Sequence, residues 1–136
     1  MIGLSDGLTS ARATLIRDAL DAGPGPAVLT FYTSPRPARG AAVTTQQIVG
    51  TATFSQPCGS VVGASLVFDV ITGSAATGEA PATWARAVDG DGAFVADFGV
   101  GVYGSGADIE LEDVSPTAGE LLTPSGGQSI TEGNAA

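Results

Sequence analysis

Hydrophobic positions recur along the chain in two rhythms. Leu4, Leu8, Ala11, Leu15 and Ala19 are spaced for one face of a helix, and Ile16 and Leu20 widen that stripe. Ser5 stands where an N-cap belongs, and Asp6 follows in the first turn. Gly23-Pro24 closes the pattern, the glycine allowing a left-handed exit and the proline refusing another turn. The spacing predicts one helix over about residues 6–22, its stripe packed on its own sheet. Docking on a neighbouring chain is the other use open to that face, and it makes Leu8 and Leu15 candidate contact residues.

The remainder alternates with the period of strands. Residues 27–33 (AVLTFYT), 46–55 (broken at Gly50) and 64–71, with Leu66, Phe68 and Val70 on one side, read as strands. Two further runs, 83–88 and 93–100, flank Asp89-Gly90-Asp91-Gly92, and paired Asp-Gly turns between strand-like runs are the strongest hairpin signal here. The single Trp84 and two of the five Phe, Phe94 and Phe98, lie on this hairpin, which is expected to supply much of the core. Trp84 and Val88 share a side with Arg86, while Ala85 and Ala87 look the other way. Either the sheet is covered on both faces or Arg86 reaches out past the Trp. Residues 108–113 (DIELED) place Ile109 and Leu111 inward and their acids outward, the alternation of a half-exposed antiparallel strand. Residues 114–122 and 128–132 carry weaker strand patterns, with Pro116 and Pro124 marking bends. Roughly seven or eight short strands at this spacing predict a mainly β fold, an antiparallel β-sandwich or jelly roll with one N-terminal α-helix. The expected layout is a helix within residues 1–23, a sandwich over 24–132 and a flexible tail at 133–136.

Residues 34–40 (SPRPARG) cannot be a ladder strand, because proline lacks the N–H that a central strand donates. They read as an exposed loop holding the only local pair of positive charges, Arg36 and Arg39, either solvated or serving as a contact.

Composition narrows the function more than the fold. A chain of 136 residues is one domain, and 20 Gly and 8 Pro without a collagen period favour short strands and turns. Charge is lopsided: residues 1–68 carry a net +1, and residues 69–136 a net −10. That field repels phosphate backbones and anionic lipid, so neither nucleic acid nor a membrane is an expected partner. No apolar run approaches the ~20 residues of a bilayer span. The first residues lack the basic and apolar regions of a signal peptide, so synthesis in the cytoplasm is expected. Lys and His are both absent, which removes the commonest general bases and an amine nucleophile.

Three motifs invite chemistry and lack its context. Gly99-Val100-Gly101-Val102-Tyr103-Gly104 matches G-x-G-x-x-G, but a strand pattern follows it where a dinucleotide fold needs a helix. Gly3-Leu4-Ser5-Asp6-Gly7 matches a nucleophile elbow with no strand before it and no His. Asp89-Gly90-Asp91-Gly92 opens like a calcium loop, but Ala93 and Val100 stand where an EF-hand has its fifth and twelfth ligands. Cys58, the single cysteine, has no activating base and reads as a small buried hydrophobe. Glu110, Glu112 and Asp113 could form a carboxylate pair, but the alternation sets Glu110 and Glu112 on an exposed edge. The expectation is no catalytic residue, no metal and no cofactor.

The landmarks in order are LDAGPGP, AVLTFYTSPRPA, IVGTATFSQP, ATWARAVDGDGAFVADFGVG, GADIELED and SPTAGE. This series, including Thr83-Trp84-Ala85-Arg86 ahead of the Asp-Gly turn, resembles a family of small proteins encoded among the head and tail genes of tailed bacteriophages and prophages. The resemblance covers most of residues 10–122. It implies a non-enzymatic virion structural protein, foremost a capsid decoration (cement) protein on the outer surface of the head, bound to the major capsid protein as a dimer or trimer. A tail, baseplate or fibre-attachment protein is the alternative within the virion. A carbohydrate-binding β-sandwich is disfavoured by the single Trp.

Overall fold

The computed structural model describes residues 5–125 and 128–131. In chain order the elements are α1 (Asp6–Leu20), β1 (Val28–Tyr32), β2 (Ile48–Thr53), β3 (Gly59–Val62), β4 (Ser65–Phe68), β5 (Thr72–Gly73), β6 (Trp84–Val88), β7 (Phe94–Val102), β8 (Ile109–Leu111) and β9 (Ser129–Thr131). The fold is mainly β with one helix, as the alternation predicts. A curled, mostly antiparallel six-stranded sheet, β5-β2-β1-β6-β7-β8, faces a three-stranded sheet, β3-β4-β9, in a sandwich-like arrangement. The weak strand pattern at 114–122 forms only a bridge at Leu121, and the expected tail at 133–136 lies outside the described residues.

Ser5 caps α1 as its chemistry requires, its Oγ accepting the Leu8 N–H at 3.3 Å. Asp21 caps the other end, and Gly23 takes the left-handed exit at φ 92°. The buried face, however, is Thr9, Ala13 and Leu20 with Ile16 half-buried, whereas Leu8, Ala11, Leu15 and Ala19 face solvent. The reason is where α1 lies. Ser10 donates its hydroxyl to the Gly63 carbonyl near one end of β3, and the Cys58 N–H donates to Asp21 Oδ1 at 2.8 Å at the other. The helix therefore runs opposite in direction to β3 and packs across both β3 and β4. Such close approach suits small residues. Thr9 tolerates burial because its hydroxyl already donates to the Asp6 carbonyl at 3.0 Å.

The Asp-Gly hairpin forms as expected: β6 and β7 pair antiparallel, with Trp84 opposite Gly99 and a register shift beyond Ala87. Strand β8 departs from expectation, because it runs parallel to β7, Ile109 opposite Val100 and Leu111 opposite Val102. A parallel neighbour ordinarily needs a long crossover. Here Gly104 and Gly106, at φ 83° and 80°, let a short loop double back. Ile109 and Leu111 still point inward.

Irregular chain covers the outer edges of the large sheet. At β5, Leu121 bridges Ala75 and the Leu122 N–H donates to the Ser74 carbonyl at 2.9 Å. At β8, Pro124 bridges Leu111 and the Ser125 N–H donates to the Glu110 carbonyl at 2.9 Å. Residues 119–125 thus tie one edge of the curled sheet to the other. Leu122 is buried at this closure, and any side chain at Gly50 or Gly73 would collide with it.

The inner core lies between the two sheets. Leu29, Phe31, Ala52, Ala85, Ala87 and Phe98 from the large sheet meet Leu66 and Phe68 from the small one, with Leu20, Phe54, Cys58, Ile109 and Leu111 filling the ends. Trp84 is fully buried but belongs elsewhere, on the opposite face of the large sheet. Of the two sequence readings of this hairpin, the sheet covered on both faces is the one realised, and the hairpin gives the inner core Phe98 and two alanines in place of its largest aromatic.

Candidate functional site

Strand alternation brings Tyr32, Trp84, Arg86, Phe94 and Asp97 to the outer face of the large sheet. The Tyr32 and Trp84 rings stack with centroids 4.6 Å apart. The Arg86 guanidinium lies 5.4 Å from the Trp84 ring and 5.2 Å from that of Phe94, cation–π distance to both. Arg86 also clamps Asp97, Nε to Oδ1 at 2.7 Å and Nη2 to Oδ2 at 3.1 Å. The Asp97 side chain is completely buried. Its burial works to raise the carboxyl, but the Arg86 bond, the Gly40 N–H and the charges of Arg86 and Arg36 outweigh it and hold Asp97 below the ordinary carboxylate range. The bond to Asp97 raises Arg86 against the opposing effect of its own burial.

The cover on this face is the proline-rich loop. Residues 33–47 form an Ω-loop whose ends meet, the Thr33 N–H donating to the Gln47 carbonyl at 3.0 Å and the Gln47 N–H to Thr33 Oγ1 at 2.9 Å. Trp84 Nε1 donates to the Thr33 carbonyl at 2.8 Å, and Arg86 Nη1 to the Ala41 carbonyl at 2.7 Å. Gly40, at φ 73°, sits against the Phe94 ring, where a Cβ would come within 3.3 Å. Arg36 and Arg39 are both exposed, but Arg36 donates to the Asp97 carbonyl at 3.0 Å. It is partly spent on its own sheet, which the sequence did not signal.

Leu8 and Leu15 lie on the solvent side of α1, 49% and 67% exposed, so the two expected contact groups are on separate surfaces. The carboxylates divide into those engaged by the chain's own backbone, Asp108 and Glu110, and those lining a shared groove, Glu112 and Asp113 with Glu120. Glu110 accepts the Gly104 and Gly106 N–H groups at 3.2 and 2.9 Å, and Asp108 accepts that of Gly99 at 3.0 Å. The glycine run that resembles a phosphate cradle therefore wraps the chain's own acids. Asp89 Oδ1 accepts the Asp91 and Ala93 N–H groups, both at 2.9 Å, as turn chemistry requires. Glu112, Asp113, Pro116, Glu120, Leu121 and Thr123 line an open groove of about 270 Å³. Among the described residues no group of three or more Cys, Asp or Glu is placed to hold a metal ion. Nor is any helix among them long and apolar enough to cross a membrane.

Cys58 is buried in the inner core, and its thiol is pushed up to about 12, chiefly by that burial and secondarily by Asp21. No protein-family model matches the chain, and no curated protein or solved structure is significantly similar to it.

Proposed function

We propose that this chain is a non-enzymatic structural protein of a tailed-phage particle, seated as a decoration protein on the outer surface of the capsid and bound to the major capsid protein. The observation that carries the reading is the exposed apolar stripe of α1: Leu8, Ala11, Leu15 and Ala19 face solvent on a helix whose other face is already packed against β3. A protein whose work is to cover a neighbour needs such a patch on a rigid support, and the order of sequence landmarks points to the same class. The exposed Arg36 and Arg39 supply a second contact on a different surface. Each interface of ordinary size is modest, but repetition over a lattice stabilises the shell by mass action. Self-association as a dimer or trimer through the helix stripe fits the same surface.

The test is the protein composition of particles assembled from a genome that encodes this chain. Hundreds of copies per particle are expected, and their loss should lower the temperature at which heads release DNA. A few or about a dozen copies would move the protein to the tail or baseplate. Absence from particles would end the reading.

A further inference from the structure

The two faces of the large sheet are held by different means, and that difference has a conformational consequence. The loop over the outer face makes no strand ladder. It is braced within itself, Gln46 joining its two arms by accepting the Thr44 N–H at 2.8 Å and donating to the Pro35 carbonyl. Its hydrogen bonds to the sheet and the residue leading into β6 are Trp84 Nε1 to Thr33, Ser34 Oγ with Thr83 Oγ1 at 2.9 Å, Arg86 to Ala41, Gly40 N–H to Asp97 Oδ2 at 3.2 Å, and Arg36 to the Asp97 carbonyl. Three of these five involve Arg86 or Asp97. None of the loop's residues belongs to the inner core cluster.

We propose that residues 33–47 are a hinged cover, latched by the Arg86–Asp97 pair, that opens as one unit over Trp84 while the inner core stays folded. A self-braced segment that joins no strand ladder and adds nothing to the inner core has the properties of a cooperative unit that can open separately. Arg86 from β6, with Arg36 and the Gly40 N–H from the loop, faces the Asp97 carboxylate, and Tyr32 from β1 lies beside Arg86. Removing the charge on Asp97 therefore weakens the clamp on Arg86 and the hold on Gly40 together. The closed state hides the Tyr32–Trp84 stack and the Arg86 guanidinium; the open state presents them to solvent.

The chain carries its own pair of reporters, since its single Trp lies under the loop and its single Cys lies in the inner core. In the full-length Asp97→Asn variant at neutral pH, Trp84 emission should shift to the red and acrylamide quenching should rise several-fold. Far-UV circular dichroism and resistance of Cys58 to thiol reagents should stay unchanged. The proposal is overturned if Trp84 remains shielded in that variant, or if Trp84 and Cys58 become accessible together. Should Asp97→Asn fail to fold, hydrogen exchange on the wild-type chain decides. The Trp84 indole N–H must exchange many-fold faster than the Leu29 and Phe31 amides, and equal rates reject an independently opening cover.

Discussion

The inner and outer faces of the six-stranded sheet solve the same burial problem with opposite chemistry. Inside, alanines at 85 and 87 make room for Phe31, Phe98, Leu66 and Phe68, and cohesion comes from apolar area removed from water. Outside, one Trp, one Tyr and a buried ion pair lie beneath a loop tied down by single hydrogen bonds. Area is non-directional and hard to switch off. An ion pair is directional, titratable and removable by one substitution. The domain is thus robust on one side of a sheet and chemically addressable on the other.

The largest effect should come from breaking the inner face. Phe31→Ala is expected to cost about 3–5 kcal/mol, as for a buried aromatic left as a cavity, and to expose Trp84 and Cys58 in one urea transition.

Next comes the outer latch. Arg86→Met leaves the Asp97 charge buried without its partner, a loss of about 3 kcal/mol. Because the folded-state Asp97 is held below its ordinary value of 3.8, its contribution is present above that pH and is lost as pH falls through the lower folded value. This group should therefore make wild-type stability fall as pH drops below 3.8, and Arg86→Met should show a shallower slope in acid denaturation.

Cys58 tests the inner face more gently. With its thiol pushed up from 9.0 to about 12, it should resist alkylation at pH 8 in the folded chain and react fully in denaturant. The unfolded thiol ionises first, so this group lowers stability as pH rises above 9.0.

The smallest change in stability belongs to the surface stripe. Leu8→Asp with Leu15→Asp should move the melting free energy by no more than about 0.5 kcal/mol per site. Under the proposed function, binding to heads or self-association should nevertheless be lost, as read by co-sedimentation with undecorated heads or by light scattering. Retained binding would take α1 out of the interface.

Local chemistry announced much of this architecture. Ser5 and Gly23-Pro24 marked the helix because capping and termination are properties of a few adjacent residues. The Asp89–Gly92 turn marked the hairpin for the same reason. The buried face of the helix was not legible, because Thr9 and Ala13 are poorer hydrophobes than Leu8 and Leu15. Only the position of β3 makes small size matter more than hydrophobicity there. Nor did the pattern of 108–113 distinguish a parallel from an antiparallel partner, since both bury alternate residues equally well.

What the sequence by itself determined is therefore the helix with its caps, the Asp-Gly hairpin and the approximate places of β1, β2, β4 and β8; it showed no strand at β3 or β5, and the pattern at 114–122 became only a bridge. Tertiary structure alone decided which helix face is buried and which way β8 runs. It also decided that residues 119–125 join the two sheet edges and that a proline-rich loop covers Trp84. Those outcomes depend on atoms far apart in the chain meeting at specific distances, and no window of neighbouring residues contains that information.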